Sequence, residues 1–278
     1  MKRPFARFVG VDLGGARGKT TAVAELRSGP NGAEVIEVAT RSGQKPWTDD
    51  TLAQRLGVPS ATTVIAIDAP LTQSACNRCE QPVCPGMEAC ADPAVVWLRS
   101  EGRSLVRKVA AETVNGSTTQ TQTLTAQARL APYAHRATEV MMTYGRGLLP
   151  LSSLGAGNGG IAARAHQLRR RLRGVGFELH ANLLEVSPAA TINALCGARA
   201  ARGYKRDADP WRTRAVILER LGDLSFAPQS RMAREDVLQS DHCFDAVIAG
   251  YTAYLWARDG WAKPEGCFEQ DGWIVAPP

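Results

Sequence analysis

The stretch VGVDLGGARGKTTAVAEL, residues 9–26, decides how the rest of the chain is read. It has the look of a phosphate-binding loop, but the count fails. A P-loop places four residues between its first glycine and the Gly-Lys-Ser/Thr that closes it. Five positions before Gly18 stands Leu13, and Gly14 comes one residue too late. A P-loop also runs into a helix whose N-terminal amides meet the phosphates; here Thr20, Thr21 and Val23 favour a strand. The segment therefore reads as a buried strand, Phe8–Leu13, with Asp12 near its end, then a Gly-rich turn and a second strand, Lys19–Leu26. A third strand, Ala33–Thr40, follows the turn Ser28-Gly-Pro-Asn-Gly32. Three sequential strands with short links predict an antiparallel meander.

Beyond the meander the pattern becomes α/β. Asp50–Gly57 reads as a short helix capped by Asp49 or Asp50, and Ala61–Ala69 as a second apolar strand ending in Asp68. Leu183–Val186 is a third, carrying Glu185, and Ser187-Pro188 starts a helix over Ala189–Leu195. Apolar runs of this kind suit the centre of a sheet covered on both faces. Further helices are predicted over Ala94–Ala111, Ala134–Thr143, Ile161–Leu172, Trp211–Leu221 and Glu235–Arg258, the last with Ser240 or Asp241 as a cap. Gly272–Pro278 closes the chain as an extended segment. Residues 1–278 read as a single domain, with residues 71–125 as a Cys-rich insertion that includes the polar tract Asn115–Thr123; Leu151–Gly160 reads as a loop.

Composition narrows the class. Hydrophobic residues make up 44% of the 278, ample for a core, and no apolar run is long enough to span a bilayer. The N-terminal MKRPFARFVGVDL lacks an apolar signal segment, which predicts a cytoplasmic protein without a membrane partner. Net charge is +6, and only six of the 33 basic residues are lysine. Arginine suits phosphate because its planar fork donates two hydrogen bonds together. The run His166-Gln-Leu-Arg-Arg-Arg-Leu-Arg173 shows a basic face and two buried leucines if helical; it is either a nucleic-acid face or a solvated surface. Four of the seven cysteines, Cys76, Cys79, Cys84 and Cys90, fall in one short segment spaced Cys-x2-Cys-x4-Cys-x5-Cys. Without an export signal this reads as a metal site before it reads as disulfides. Zn²⁺ and a [4Fe–4S] cluster are the two ligands weighed, with an empty loop as the third reading.

Three apolar strands each place a carboxylate at or near the carboxyl end: Asp12, Asp68 and Glu185. Binding sites of open α/β sheets lie there. A fourth carboxylate, Asp245, stands in the Ala-rich run Phe244-Asp-Ala-Val-Ile-Ala. Buried carboxylates are costly unless paired or metal-bound. With no lysine evident nearby, the cluster calls for Mg²⁺ or Mn²⁺. Two such ions can activate water and stabilise a leaving oxygen of a phosphodiester. His242, three residues before Asp245, lies on the same helix face and is a candidate ligand or general base, or else a surface histidine.

At these residues the chain resembles the ribonuclease H-like order of elements, and His242-Cys-Phe-Asp-Ala246 resembles the last motif of RuvC-type Holliday-junction resolvases. More specifically it resembles domain-of-unknown-function family 429, a family of predicted ribonuclease H-like nucleases. The matching segments are Val9-Gly-Val-Asp12, Ile65-Ala-Ile-Asp-Ala-Pro-Leu71, Arg136-Ala-Thr-Glu139, Leu184-Glu-Val-Ser-Pro-Ala189, Phe244-Asp-Ala246 and Asp271-Gly-Trp-Ile-Val-Ala-Pro277. The resemblance implies an α/β, ribonuclease H-like mixed sheet flanked by helices, and a metal-dependent nuclease acting on DNA or RNA. It also implies a homodimer, since resolvases of this fold act as dimers. It adds Glu139 to the candidate catalytic residues and makes Arg136 a candidate substrate contact; Lys19 is a second candidate substrate contact. Two other readings stay open. Val9-Gly-Val-Asp-Leu-Gly-Gly15 also resembles the phosphate hairpin of sugar kinases in the actin-like ATPase superfamily, although no second hairpin is found. The third is a non-catalytic nucleic-acid-binding protein with relict acids.

Overall fold

The structure, a computed structural model, describes residues 3–15, 20–58, 61–115, 130–148, 159–230, 232 and 234–278. Lys19, nearly all of the polar tract and residues 151–158 of the Gly-rich segment lie outside the described residues. The centre is a seven-stranded mixed sheet in the order β8-β3-β2-β1-β6-β7-β9. The strands are β1 (Arg7–Asp12), β2 (Ala22–Gly29), β3 (Gly32–Ala39), β6 (Thr63–Asp68), β7 (Leu183–Val186), β8 (Leu224–Phe226) and β9 (Ile274–Val275); β4 (Arg41–Ser42) and β5 (Lys45–Pro46) form a separate small hairpin. β1, β2 and β3 are the predicted antiparallel meander, while β6, β7 and β9 run parallel to β1 and β8 runs parallel to β3. β2 begins at Ala22, later than the predicted Lys19.

Both sheet faces are covered, and the two-residue period of a strand sorts the side chains. Val9, Val11, Val23, Ile65 and Ile67 pack with Leu52 and Leu56 of the helix Asp49–Leu56 and with Leu168 and Leu172 of the helix Gly159–Arg173. Phe8, Ala24, Leu26, Val64 and Ala66 pack on the other face with Val247, Ile248 and Tyr251 of the helix Asp241–Asp259. Cys243 to Ala257 of that helix are buried without interruption. A helix apolar all round belongs in the middle of a fold, and this one is. It starts at Ser240, whose hydroxyl caps Cys243 N and which separates it from the short helix Arg234–Gln239; the predicted single helix over Glu235–Arg258 is therefore two.

Other corrections have local causes. Thr48, not Asp49 or Asp50, caps the first helix through a capping box with Thr51. The helix Ala198–Arg206 and strand β8 are not legible in the sequence; the helix is short, opens after Gly197 and carries three arginines that hide its apolar face. The predicted helix over Ala134–Thr143 begins only after Arg136, as Ala137–Val140 continued by a π-turn over Met141–Gly145. Within the Cys-rich segment, helix Pro93–Trp97 runs through a π-turn into helix Arg103–Asn115, and Ala94 and Val95 reach the main core. Among the described residues no helix is long and apolar enough to cross a membrane.

The buried helix lies against β1 without side chains between the two backbones. A Cβ on Gly10 would stand 2.0 Å from Ala246 O and 2.3 Å from Gly250 N. A Cβ on Gly250 would stand 2.5 Å from a Leu26 methyl. The neighbour of Gly10 is backbone, so it can make room only by moving the helix. Gly10→Ala should lower stability by about 3 kcal/mol or more despite alanine's better strand propensity. A denaturant midpoint reads this, and an unchanged midpoint would place the helix elsewhere.

Candidate metal centre

β1 and β6 run parallel in a register that pairs Asp12 directly with Asp68. Both share the parity of Gly10 and Ala66, so both face the buried helix. That helix presents Asp245 from its second turn. Oxygens of Asp12, Asp68 and Asp245 lie within 4.8 Å of one another, and among the described residues only this trio of histidine, cysteine or acidic side chains does so. Asp245 is buried while Asp12 and Asp68 are half-buried, which leaves the cluster open on one side.

Three further side chains shape it. Lys205 Nζ lies 2.5 Å from Asp245 Oδ2. His242 Nδ1 lies 2.5 Å from Asp12 Oδ2, one helical turn before Asp245. Tyr204 packs its ring on Phe244 at 5.7 Å and stands beside Asp245. Asp245 Oδ1 is buried with no hydrogen-bond partner. Burial pushes the Asp245 carboxyl up to about 6 against the pull of Lys205, and Asp12 adds to the rise. Burial, then the charges of Asp245 and Asp12, holds Asp68 well above the ordinary carboxylate range. The bond to Asp12 raises His242. Burial works against the charge on Lys205, yet Asp245 outweighs it and the ammonium is held more firmly. Lys205 corrects the expectation of a lysine-free cluster. Its only sequence signal is a single lysine in the run Ala198-Arg-Ala-Ala-Arg-Gly-Tyr-Lys-Arg206, and nothing local ties that run to Asp245.

The turn after Asp12 is pinned rather than left loose. Gly14 N donates to Thr21 Oγ1 at 3.1 Å, and Arg164 Nη1 donates to Gly14 O and Thr21 Oγ1 at 2.7 and 2.9 Å. Arg164 also meets Asp49 and Arg171 meets Asp50, so part of the Arg-rich helix is spent tying elements together.

Glu185, Glu139 and Arg136 do not join the aspartates. β7 pairs Ile67 with Glu185, one residue out of phase with the Asp12–Asp68 pair. Glu185 therefore shares the parity of Leu183, which packs under the opposite face, while Leu184 and Val186 face the buried helix. Its Oε2 accepts from Leu71 N at 2.8 Å and from Arg136 Nη1 at 2.9 Å, and its Oε1 from Arg136 Nη2 at 2.6 Å. Arg136 is fully buried. It also donates Nε to Glu139 Oε1 at 3.0 Å and Nη1 to Thr72 Oγ1 at 2.7 Å, and Nη2 lies 2.9 Å from Glu139 Oε1. Four hydrogen bonds and the Nη2–Glu139 ion pair thus hold the guanidinium, which is buried away from any phosphate. Buried Asp271 borders the network, accepting from Ala137 N and Arg78. The four cysteines of the Cys-rich segment line a separate cavity.

Two outcomes follow. In the native state Asp68 and Asp245 bind protons that the unfolded chain releases near pH 4, so stability should fall as pH rises from there through about 6. In EDTA at neutral pH, Asp68→Asn should be more stable than the parent by about 1 kcal/mol or more, the worth of one pKa unit, and thermal melts across pH 4–8 would show it. Arg136→Met, by contrast, strands two buried carboxylates and should cost about 3–5 kcal/mol in a denaturant titration. A near-neutral result there would dismantle the network.

Among known proteins, neither the curated sequences nor the solved structures give a match. The pattern of the family described as "Protein of unknown function (DUF429)" matches residues 10–265, which takes in Asp12's strand end, Asp68, Lys205, His242 and Asp245. The chain belongs to the DUF429 family.

Proposed function

We propose that the three-aspartate centre binds Mg²⁺ or Mn²⁺ and that the protein is a metal-dependent nuclease hydrolysing phosphodiester bonds. One observation carries the reading: Asp12, Asp68 and Asp245 converge within 4.8 Å at the carboxyl ends of two parallel strands. The donor set fits the ion. Three carboxylates are hard oxygen ligands, and Oδ1 of Asp245 is a buried acceptor that makes no hydrogen bond. When bound, such an ion polarises a phosphoryl oxygen and lowers the pKa of a coordinated water.

The chain's own residues account for the rest. Lys205 fixes Asp245 by its Oδ2 and adds a positive charge to the rim, where a phosphodiester brings a negative one. His242 orients Asp12, and its raised pKa keeps a proton at Nδ1 further toward neutrality than a free imidazole would. Its ring is 41% exposed, so its other nitrogen can exchange a proton at the open side of the cluster. Just beyond Asp12 along the chain a cavity of about 830 Å³ begins at Gly15 and Thr20 and reaches Gln167, with Arg41 and Trp47 on its wall. A cation for phosphate and an indole for stacking are what a nucleic-acid strand requires. The net charge of +6 supports the same partner.

The test is cleavage of single-stranded, duplex, branched and hybrid substrates with Mg²⁺ or Mn²⁺ against EDTA. Asp12→Asn and Asp68→Asn should each lower the rate by about a hundredfold or more, with the fold intact by circular dichroism. Cleavage that persists in EDTA or in either variant removes this reading, as does an absence of cleavage on every substrate.

A further inference from the structure

Cys76, Cys79, Cys84 and Cys90 are absorbed neither by the aspartate centre nor by the Arg136 network. All four are free thiols, and all four line one cavity of about 650 Å³. The segment that carries them has little apolar packing of its own; Val83 is 78% exposed. Its backbone is nonetheless tied down at several points. Arg99 Nη1 donates to the carbonyls of Met87 and Cys90 at 2.9 and 3.4 Å. Arg78 Nη2 donates to both oxygens of Asp92 at 3.1 Å. Cys76 N donates to Pro132 O at 3.2 Å and Cys90 N to Gly86 O at 3.0 Å. The loop thus brings four thiols to one hollow and spends arginines to hold them there.

The spread of the sulfurs selects between ligands. A tetrahedral zinc ion with bonds of about 2.3 Å brings its sulfurs to about 3.8 Å from one another. Among the described residues no three of these sulfurs lie within 4.8 Å of each other; only the aspartates meet that limit. A cubic cluster puts one thiolate on each of four irons and so spreads the sulfurs further than a single ion does. The hollow is also much larger than a single ion needs.

We propose that the loop from Cys76 to Cys90 holds a [4Fe–4S] cluster, one iron on each thiolate. Arg78 joins that loop to the rest of the fold, since its Nη1 lies 3.3 Å from Asp271, which borders the Arg136 network. This assignment is independent of the chemistry at the aspartates.

The test uses the full chain purified without oxygen, and the same chain incubated with iron, sulfide and a thiol reductant. Iron, acid-labile sulfide and zinc are measured together with the visible spectrum. Expected are about four iron and four sulfide per chain, with a broad visible absorption and a brown colour. Cys79→Ala and Cys84→Ala, both at exposed positions, should each lose most of the iron and the colour, whereas Cys196→Ser, outside the cavity, should keep both. One zinc per chain with no iron would overturn the proposal. So would a chain that takes up neither, or iron retained in both loop variants. The parent protein's metal content decides the matter even if the variants fold poorly.

Discussion

The contact between β1 and the helix Asp241–Asp259 is the constraint on which the rest of the molecule depends. Two backbones meet there because Gly10 and Gly250 offer no Cβ, and the approach leaves no slack for one. Side chains on both elements are then fixed in azimuth and height. Asp12 follows Gly10 by two residues on the same strand face, and Asp245 stands one residue before Ala246, whose carbonyl touches Gly10. A helix held at ordinary side-chain distance from the sheet would carry Asp245 away from the two strand-borne aspartates. The glycines do not touch the site's chemistry, yet they set its dimensions.

What the packing brings together, electrostatics resists. Three carboxylates within 4.8 Å repel one another, and two of them are shifted toward the protonated form by burial and by that repulsion. Lys205 and His242 relieve part of the charge from one side each, but Asp245 Oδ1 keeps no partner. A cluster of this kind lowers the stability of the chain that carries it at neutral pH, which is how a site poised for a cation differs from a satisfied core.

The Arg136 network makes the contrast within the same molecule. It too gathers buried acids, Glu185, Glu139 and Asp271, but around a guanidinium that makes four hydrogen bonds and ion pairs with both Glu185 and Glu139. It joins β7, the end of β6, the helix Ala137–Val140 and the C-terminal segment. Two acid clusters at one end of one sheet thus have opposite characters. One is closed and structural; the other is open, short of donors and strained. Counting acids cannot separate them, whereas counting donors can.

By itself the sequence determined a good deal: the antiparallel meander, the parallel strands ending in Asp68 and holding Glu185, the helix carrying His242 and Asp245, and the failure of the P-loop count. These follow from local rules, alternation along a strand, the 3.6-residue period of a helix, and the turn chemistry of glycine and proline. Three members of the cluster were legible because each is a lone acid in an apolar run. The strand ends, by contrast, hid a distinction of one residue. Whether Glu185 faces Asp68 or turns away depends on the register between β6 and β7, and nothing in four residues of LLEV encodes it. The register is chosen by which of Leu183 and Leu184 fits each core. Lys205 was hidden for the same kind of reason. It lies forty residues from Asp245 in a short, arginine-rich helix, and only the tertiary packing of that helix against the buried one makes the pair. Periodicity fixes what is near in the chain; register and packing fix what is near in space, and the site is made of the latter.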